Sequence, residues 1–321
     1  MQSFNPLVLF QALILGHVCL LSNAFVGPNY GFRPQKTQVF SPMEKSRFGN
    51  QWTVMQNSQT TLVQGTAIPR IGEEDLNSLS QKGYVVIRDF IPNNLVHSLQ
   101  NDVQDLRQKG KFRVARIGQD STNTLNTEIR VAETCFIGPD KLGDCSSDSR
   151  SKLYTILDTL RSDLSGNSVL DKREPSGELV TAAPALDVKL SETLYAYYPE
   201  GGFYRRHRDA ITGSASVLRK YSLLLYLNEN WSPEDGGKLR LHMDSGGDEL
   251  PAGEEPNYLD VEPRGGTLVL FRSEQLPHEV LDTKATRLAI VGWYNRAMTA
   301  SDINSLSNES DNIRAALLLV A

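Results

Sequence analysis

Cysteine and histidine are both scarce in this chain of 321 residues, which contains three cysteines and five histidines. No CxxC pair and no Cys/His spacing of a zinc site occurs in it, so a thiolate metal site is not expected. Cys19 falls in an N-terminal segment that we expect to be removed. The two other cysteines, Cys135 and Cys145, could form a disulfide or remain free.

An excess of positive charge is also missing. The chain carries 33 Lys and Arg against 38 Asp and Glu, for a formal net charge of −5. Nucleic acid is therefore not expected as its partner, because that role normally requires a basic face. Apolar residues at 40% and charged residues at 22% are ordinary values for a globular protein. We find no internal repeat.

The first 25 residues lack Asp, Glu, Lys and Arg altogether and contain a dense apolar run from Leu7 to Leu21. This run is short for a membrane span and has the length of a signal-peptide core. We predict a cleaved signal peptide over residues 1–25 and no stable membrane span after processing. A buried helix or a membrane anchor is the alternative.

Residues 26–66 are poor in acidic side chains, with Glu44 alone against four basic residues. Such a hydroxyl-rich segment is typical of a transit peptide or a disordered leader. The junction "SNAFVGP" resembles the Ala-Phe cleavage motif of the bipartite presequences of diatoms and other algae with red-derived secondary plastids. This resemblance implies delivery to the plastid through the endoplasmic reticulum. Plain secretion or retention in the endoplasmic reticulum remains open.

We expect the folded domain to span residues 67–298 and to be followed by a tail over 299–321. "YVVIRDFI" (Tyr84–Ile91) predicts a strand. Asn93 or Asn94 can then cap an amphipathic helix that ends at Gly110, and a second helix is predicted over Ser151–Leu164. The segment between the helices reads as a long polar loop with at most one short strand.

After Asp187 the pattern changes to short apolar segments separated by Gly- and Pro-rich turns. The predicted strands are Val188–Tyr198, Phe203–Arg208, Tyr221–Leu227, Lys238–His242, Thr267–Phe271, Glu279–Leu281 and Leu288–Trp293. Helices followed by many strands predict an α+β fold in which the helices cover one face of an antiparallel sandwich or barrel.

The stretch "FYRRHRDAITG" places His207 and Asp209 two residues apart within a cationic segment. If this segment is extended, both side chains point to the same side and could bind one ion. A single His-x-Asp pair is weak evidence, so further ligands are needed.

His278 precedes an apolar strand and can complete a set of two histidines and one carboxylate. Such a set leaves three positions of an octahedron open, which suits Fe(II) and oxygen chemistry. His97 and His242 are instead expected to be surface or packing residues. Arg287 lies among apolar residues, where its planar fork is suited to the distal carboxylate of 2-oxoglutarate. An internal salt bridge is the alternative for Arg287.

Several segments in one order resemble the 2-oxoglutarate/Fe(II)-dependent dioxygenases, and more narrowly the prolyl 4-hydroxylase group with its hypoxia-inducible-factor prolyl hydroxylases. The segments are "GKF", "YYPEGGFYRRHRD", "YSLLLYLNENW", "DGGKLRL" and "PHEVLDTKATRLAIVGWY". The resemblance implies a double-stranded β-helix (jelly roll) with supporting helices. It also implies Fe(II), 2-oxoglutarate and O2 as cofactors, L-ascorbate as reductant, and a proline-containing protein or peptide as substrate. A role in oxygen sensing is implied as well.

The resemblance also assigns roles to individual residues. His207, Asp209 and His278 would bind iron, and Arg287 would pair with the distal carboxylate of 2-oxoglutarate together with the hydroxyl of Tyr226. The remaining assignments concern the surroundings of the cosubstrate and the substrate. They are Tyr198 near the metal-binding end of the cosubstrate, Leu224 in its pocket wall, Trp293 near the iron, and Arg219 and Arg130 as substrate contacts.

The chain departs from parts of this family pattern. Collagen-type enzymes use a lysine where Arg287 stands, which points to the oxygen-sensor and microbial branch. Ala132 replaces an aspartate of the substrate loop, so the substrate need not resemble the animal one. Asp209 argues against the halogenase variant of the fold. Three alternatives remain: an oxygenase acting on another residue or a small molecule, a non-catalytic cupin-like metal-binding sensor, and a purely structural jelly roll.

Overall fold

The computed structural model describes residues 67–118, 124–139, 141–142, 145–173, 176–189, 192–211, 214–243 and 257–298. The predicted signal peptide, leader and C-terminal tail lie outside these residues, as does Cys19, and their boundaries stay predictions. Within the described ranges, no helix combines the length and the apolar character needed to cross a membrane.

The helices are α1 (Glu73–Lys82), α2 (Asn93–Gln108) and α3 (Asp148–Leu164), with short 3-10 turns elsewhere. Capping of α2 by Asn93 or Asn94 was wrong, because Pro92 is the N-cap residue in extended conformation and both asparagines lie in the first turn. Helix α3 begins three residues before the predicted Ser151. Helix α1 was not predicted, although its acidic first turn and Gly83 in left-handed conformation are common helix-end signals.

Within the residues that the structure describes, fourteen short strands build two facing antiparallel sheets and a small hairpin. The first half of them comprises β1 (Tyr84–Ile87), β2 (Arg113–Val114), β3 (Arg130–Val131), β4 (Glu133–Phe136), β5 (Lys172–Arg173), β6 (Leu179–Thr181) and β7 (Leu194–Tyr198). The second half comprises β8 (Phe203–His207), β9 (Arg219–Tyr226), β10 (Leu239–His242), β11 (Tyr258–Val261), β12 (Leu268–Arg272), β13 (His278–Val280) and β14 (Arg287–Asn295). The seven-stranded sheet has the order β1-β12-β9-β14-β7-β4-β2, and the five-stranded sheet has the order β11-β10-β13-β8-β3.

Most predicted strands differ from the observed ones by one or two residues at their ends, but some differences are larger. The strand predicted over Tyr84–Ile91 stops at Ile87, because Asp89 adopts a left-handed φ of 52° in a turn. The strand predicted from Val188 begins only at Leu194, and Val188 itself is exposed. The segment between the two helices contains three short strands, β2, β3 and β4, where at most one was expected, and β5, β6 and β11 were not predicted.

Successive side chains of β9 point to opposite faces of its sheet, so they contribute to two different layers of the core. Tyr221, Leu223 and Leu225 contribute to a core that also contains the apolar stripes of the helices, whereas Leu224 and Tyr226 face the five-stranded sheet. Each fully buried leucine contributes about 1.5–3 kcal/mol relative to an exposed one. The predicted α+β double-stranded β-helix with helices on one face is therefore confirmed.

A buried polar triad ties the helices to the seven-stranded sheet. The Arg150 Nε atom donates to Asp102 Oδ2 at 2.8 Å, and the Tyr195 hydroxyl donates to the same oxygen at 2.9 Å. These residues belong to α3, α2 and β7, so the triad fixes both helices against the strand that borders β14.

Candidate active site

His207 and His278 are a cross-strand pair at the centre of the five-stranded sheet. They lie directly opposite each other on β8 and β13, and their ring centres are 4.3 Å apart. The next pair is Tyr204 with Val280, so two residues of β8 oppose one of β13 between the pairs. This β-bulge turns Tyr204 and His207 to the same face, where their rings stack at 3.6 Å.

Asp209 lies just beyond the end of β8 and reaches back to both imidazoles. Its Oδ1 atom is 3.6 Å from His207 Nε2, and its Oδ2 atom is 3.5 Å from His278 Nε2. One ligand atom from each of the three residues lies within 4.8 Å of the others. Asp209 and His278 are buried and His207 is partly buried, so the cluster is shielded from bulk water.

Hydrogen bonds to the backbone orient both imidazoles. His207 Nδ1 is 2.8 Å from the carbonyl oxygen of Arg205, and His278 Nδ1 is 3.2 Å from that of Leu276. A carbonyl only accepts, so each Nδ1 carries a proton and each Nε2 is the nitrogen left to bind a metal. Metal-ligating histidines are commonly oriented in this way.

The electrostatics of the cluster suit a divalent cation. Burial by itself would raise the pKa of Asp209, but the neighbouring His278 and His207 outweigh this effect and hold the pKa well below its ordinary range. Burial lowers the pKa of His278 to about 4, although the Asp209 carboxylate opposes this shift. At neutral pH the cluster therefore presents one ionised carboxylate and a neutral His278 imidazole, which are forms that bind metals.

Arg287, the first residue of β14, is 2% exposed, and its Nε atom donates to the carbonyl oxygen of Gly237 at 2.8 Å. Its Cζ atom lies 5.0 Å from the ring centres of both Tyr198 and Tyr226. Among the described residues, no hydrogen-bond partner is found for Arg287 Nη1, Arg287 Nη2 or the Tyr226 hydroxyl. Unsatisfied buried donors are costly, so this cluster fits a ligand that brings its own acceptors.

The residues that face the five-stranded sheet from β9 connect the two clusters. Ser222 donates to Asp209 Oδ2, Leu224 follows on the same face, and Tyr226 lies beside Arg287. One face of one strand thus runs from the possible metal ligands to the unpaired guanidinium. This arrangement fits 2-oxoglutarate, which has a keto-acid end for a metal and a second carboxylate for a cation.

Of the other predicted cosubstrate residues, Tyr198 pairs with Arg287 across β7 and β14, and Leu224 is buried next to Tyr226. Trp293 is partly buried, and the guanidinium of Arg219 lies 3.8 Å from the centre of its ring. Its Nε1 atom is buried and lacks a hydrogen-bond partner within the described part of the chain.

The predicted substrate contacts have partners within the protein. Arg219 binds Glu192 at 2.6 Å through Nη2 and the carbonyl oxygen of Asp209 at 3.2 Å through Nη1. Arg130 donates to the carbonyl oxygen of Arg116 at 3.3 Å, and its guanidinium lies 4.5 Å from the ring centre of Tyr204. Their roles as substrate contacts stay predictions.

The two remaining histidines of the described residues lie outside the cluster, as expected from their sequence context. His242 Nε2 is 3.2 Å from Glu279 Oε1, and His97 is largely exposed near Glu229. Sequence reasoning missed Tyr204, Ser222 and Gly237. Only Gly237 carried a signal, because the Gly-Gly turn before β10 allows the left-handed φ of 67° that it adopts.

The chain is similar to known proteins in the region that contains this site. Residues 193–295 match the model of the 2OG-Fe(II) oxygenase superfamily. Mouse "Prolyl hydroxylase EGLN3" is 33% identical over 244 residues, which cover 74% of this chain and 90% of that protein.

Two solved structures are similar as well. A Pseudomonas putida prolyl-4-hydroxylase is 28% identical with a TM-score of 0.51, covering 70% of this chain and 98% of that one. A Trichoplax adhaerens prolyl hydroxylase, solved with a hypoxia-inducible-factor peptide fragment, is 27% identical with a TM-score of 0.53, covering 69% of this chain and 87% of that one. The chain therefore belongs to the 2OG-Fe(II) oxygenase superfamily, as a 2-oxoglutarate- and Fe(II)-dependent dioxygenase of the prolyl hydroxylase family.

Proposed function

We propose that this enzyme hydroxylates prolyl residues of a protein or peptide at ring carbon C4 and converts 2-oxoglutarate to succinate and CO2. In this proposal His207, Asp209 and His278 bind Fe(II), while Arg287 and Tyr226 bind the distal carboxylate of 2-oxoglutarate. The observation that carries the proposal is the single face of β9 that joins the possible metal ligands to the unpaired guanidinium. The relatives named above are themselves prolyl hydroxylases.

Bound iron with 2-oxoglutarate would supply the activation of O2 for attack on a substrate C–H bond. The protein residues would orient and shield this chemistry. The carbonyl oxygens of Arg205 and Leu276 keep the two Nε2 atoms turned toward Asp209. Arg287 offers two N–H groups to one carboxylate in a water-poor interior, where charge-assisted hydrogen bonds are strong.

Tyr226 would act as a hydrogen-bond donor to the same carboxylate. Burial raises the pKa of its hydroxyl to about 12, although the nearby Arg287 opposes this shift. The phenol is therefore protonated at neutral pH and can donate without adding a second negative charge.

The test uses the full-length chain, loaded with Fe(II) and 2-oxoglutarate without oxygen and then exposed to air with a library of proline-containing peptides. We expect succinate together with peptides that gain the mass of one oxygen atom on proline. Asp209→Ala is the control and should produce no succinate. Iron-dependent succinate production that persists in Asp209→Ala would refute the proposed ligand set.

Two alternative functions predict different results, one in this assay and one in a binding measurement. An oxygenase with another target would add oxygen to a residue other than proline, or would form succinate only with a small molecule. A metal-binding sensor without turnover would show no 2-oxoglutarate binding by calorimetry. The unpaired Arg287 argues against the sensor, since metal binding alone needs no second cation in the core.

Two further features belong to this proposal. L-ascorbate would serve as the reductant, and its addition should increase the number of turnovers before the enzyme inactivates.

The presequence features support plastid delivery, and a fluorescent fusion of residues 1–66 in a diatom should enter the plastid. Retention of the fusion in the endoplasmic reticulum would favour the secretory alternative.

A further inference from the structure

Two buried serines lie next to the carboxylate of Asp209. They belong neither to the proposed metal ligands nor to the residues proposed to bind 2-oxoglutarate. The Ser222 Oγ atom donates to Asp209 Oδ2 at 2.7 Å. The Ser273 Oγ atom lies 2.8 Å from the Ser222 Oγ atom, and both serines are 0% exposed. Ser222 is on β9, and Ser273 directly follows β12, the neighbouring strand.

The direction of the hydrogen bonds in this pair follows from the chemistry of the groups. A carboxylate that binds a metal is ionised and can only accept hydrogen bonds. The single hydroxyl proton of Ser222 is therefore donated to Asp209. Because Ser222 has no further proton, Ser273 must donate to Ser222. Ser273 thus supplies the hydrogen bond that the Ser222 oxygen accepts.

The same neighbourhood also holds the peptide group that follows Asp209. Arg219 Nη1 donates to the carbonyl oxygen of Asp209 at 3.2 Å. The amide of Ala210 donates to the carbonyl oxygen of Ser273 at 3.3 Å. With the main chain held at these points, the Ser222 hydrogen bond decides how the carboxylate group is rotated.

We propose that Ser222, supported by Ser273, is a positioning residue that engages Oδ2 of Asp209 and leaves Oδ1 as the one oxygen that binds the metal. This inference rests on the proposed function, which makes Asp209 a metal ligand. Two imidazoles and one carboxylate oxygen occupy three positions of an octahedron. A second carboxylate oxygen would take one of the three positions that the cosubstrate and O2 require.

The first test measures the affinity of the full-length chain for Mn(II) by calorimetry. We expect Ser222→Ala to weaken Mn(II) binding about tenfold, as is usual when the partner of a metal ligand is removed. Ser222→Thr keeps the hydroxyl and should bind close to wild type. Ser149→Ala is the matched control, because Ser149 is also a buried serine paired with another serine, at 2.7 Å from Ser147, but at the start of α3.

The second test is a crystal structure of the Mn(II)-loaded wild-type protein. The expected result is Oδ1 of Asp209 on the metal and Oδ2 on Ser222. Binding through both oxygens, or unchanged Mn(II) affinity in a folded Ser222→Ala variant, would overturn the role of Ser222. Failure of the proposed function is recognised separately, because Asp209→Ala would then bind Mn(II) as wild type does.

Discussion

The guanidinium of Arg287 lies beside the ring of Tyr226 in the core. The Arg287 Cζ atom is 5.0 Å from the centre of the Tyr226 ring. Within the part of the chain that the structure describes, Nη1, Nη2 and the hydroxyl all lack hydrogen-bond partners. Three buried polar atoms without hydrogen-bond partners are tolerated only at a cost in stability, and a bound dicarboxylate would remove that cost.

Replacement of Arg287 should therefore stabilise the ligand-free protein and at the same time impair its use of 2-oxoglutarate. We expect Arg287→Met to raise the melting temperature of the ligand-free protein, because an uncompensated buried cation is removed. The same change should raise the KM for 2-oxoglutarate by about tenfold or more, since a hydrogen bond to a charged group contributes about 1.5–3 kcal/mol. Thermal unfolding without ligand measures the first effect, and the rate of succinate formation at varied 2-oxoglutarate concentrations measures the second. A destabilised ligand-free variant would contradict the unpaired state of Arg287.

A side chain at Gly237 should disturb the same site. Gly237 has a φ of 67°, and a Cβ atom there would lie 3.0 Å from Arg287 Cδ. We expect Gly237→Ala to lower both the melting temperature and the affinity for 2-oxoglutarate, because Arg287 must move. Gly166→Ala is the matched control, since Gly166 has a φ of 62° but no atom within 4 Å of such a Cβ. The control should lose about 1–2 kcal/mol of stability and bind 2-oxoglutarate normally. Equal 2-oxoglutarate affinities in both variants would refute the steric argument.

The two described cysteines should differ in reactivity. Both are free thiols, with Cys135 buried and Cys145 partly exposed. Burial raises the pKa of Cys135 to about 11, so this group remains a thiol at neutral pH, and the thiolate is the reactive form. Iodoacetamide at neutral pH should modify Cys145 first, as peptide mass spectrometry of the folded protein would detect. Faster labelling of Cys135 would contradict its burial.

The buried triad of Asp102, Arg150 and Tyr195 should determine stability rather than chemistry. Asp102→Ala leaves the Arg150 charge without its carboxylate, so we expect a loss of about 3–5 kcal/mol in the free energy of unfolding. The KM for 2-oxoglutarate of the remaining folded protein should be unchanged, because the triad lies on the helix side of the sheet. Urea unfolding and steady-state kinetics would measure the two quantities. Asp105→Ala is the control, since its ion pair with Lys109 is exposed.

The sequence alone was sufficient to predict the features that depend on the spacing of residues within one short segment. Apolar residues recur at helical spacing in α2 and α3, and side chains alternate between the two faces of the sheet along β9 and β14. Both patterns follow from the repeat of side-chain direction in a helix and in a strand. His207 and His278 stood out because histidine is scarce, Asp209 because it lies two residues from His207, and Arg287 because it lies among apolar neighbours. Together with the segments around them, these residues predicted the family through its resemblance to the 2-oxoglutarate/Fe(II)-dependent dioxygenases.

Only the tertiary structure decided how these residues meet. The bulge in β8 that turns Tyr204 and His207 to one face depends on pairing with β13, which is distant in sequence. The hydrogen bond from Ser222 to Asp209 likewise depends on how the two sheets face each other, because β9 and the end of β8 belong to different sheets. Serine is common and carries no periodic signal, so no local pattern marks it. Contacts between distant segments arise from the packing of the two sheets, and local sequence patterns do not encode that packing.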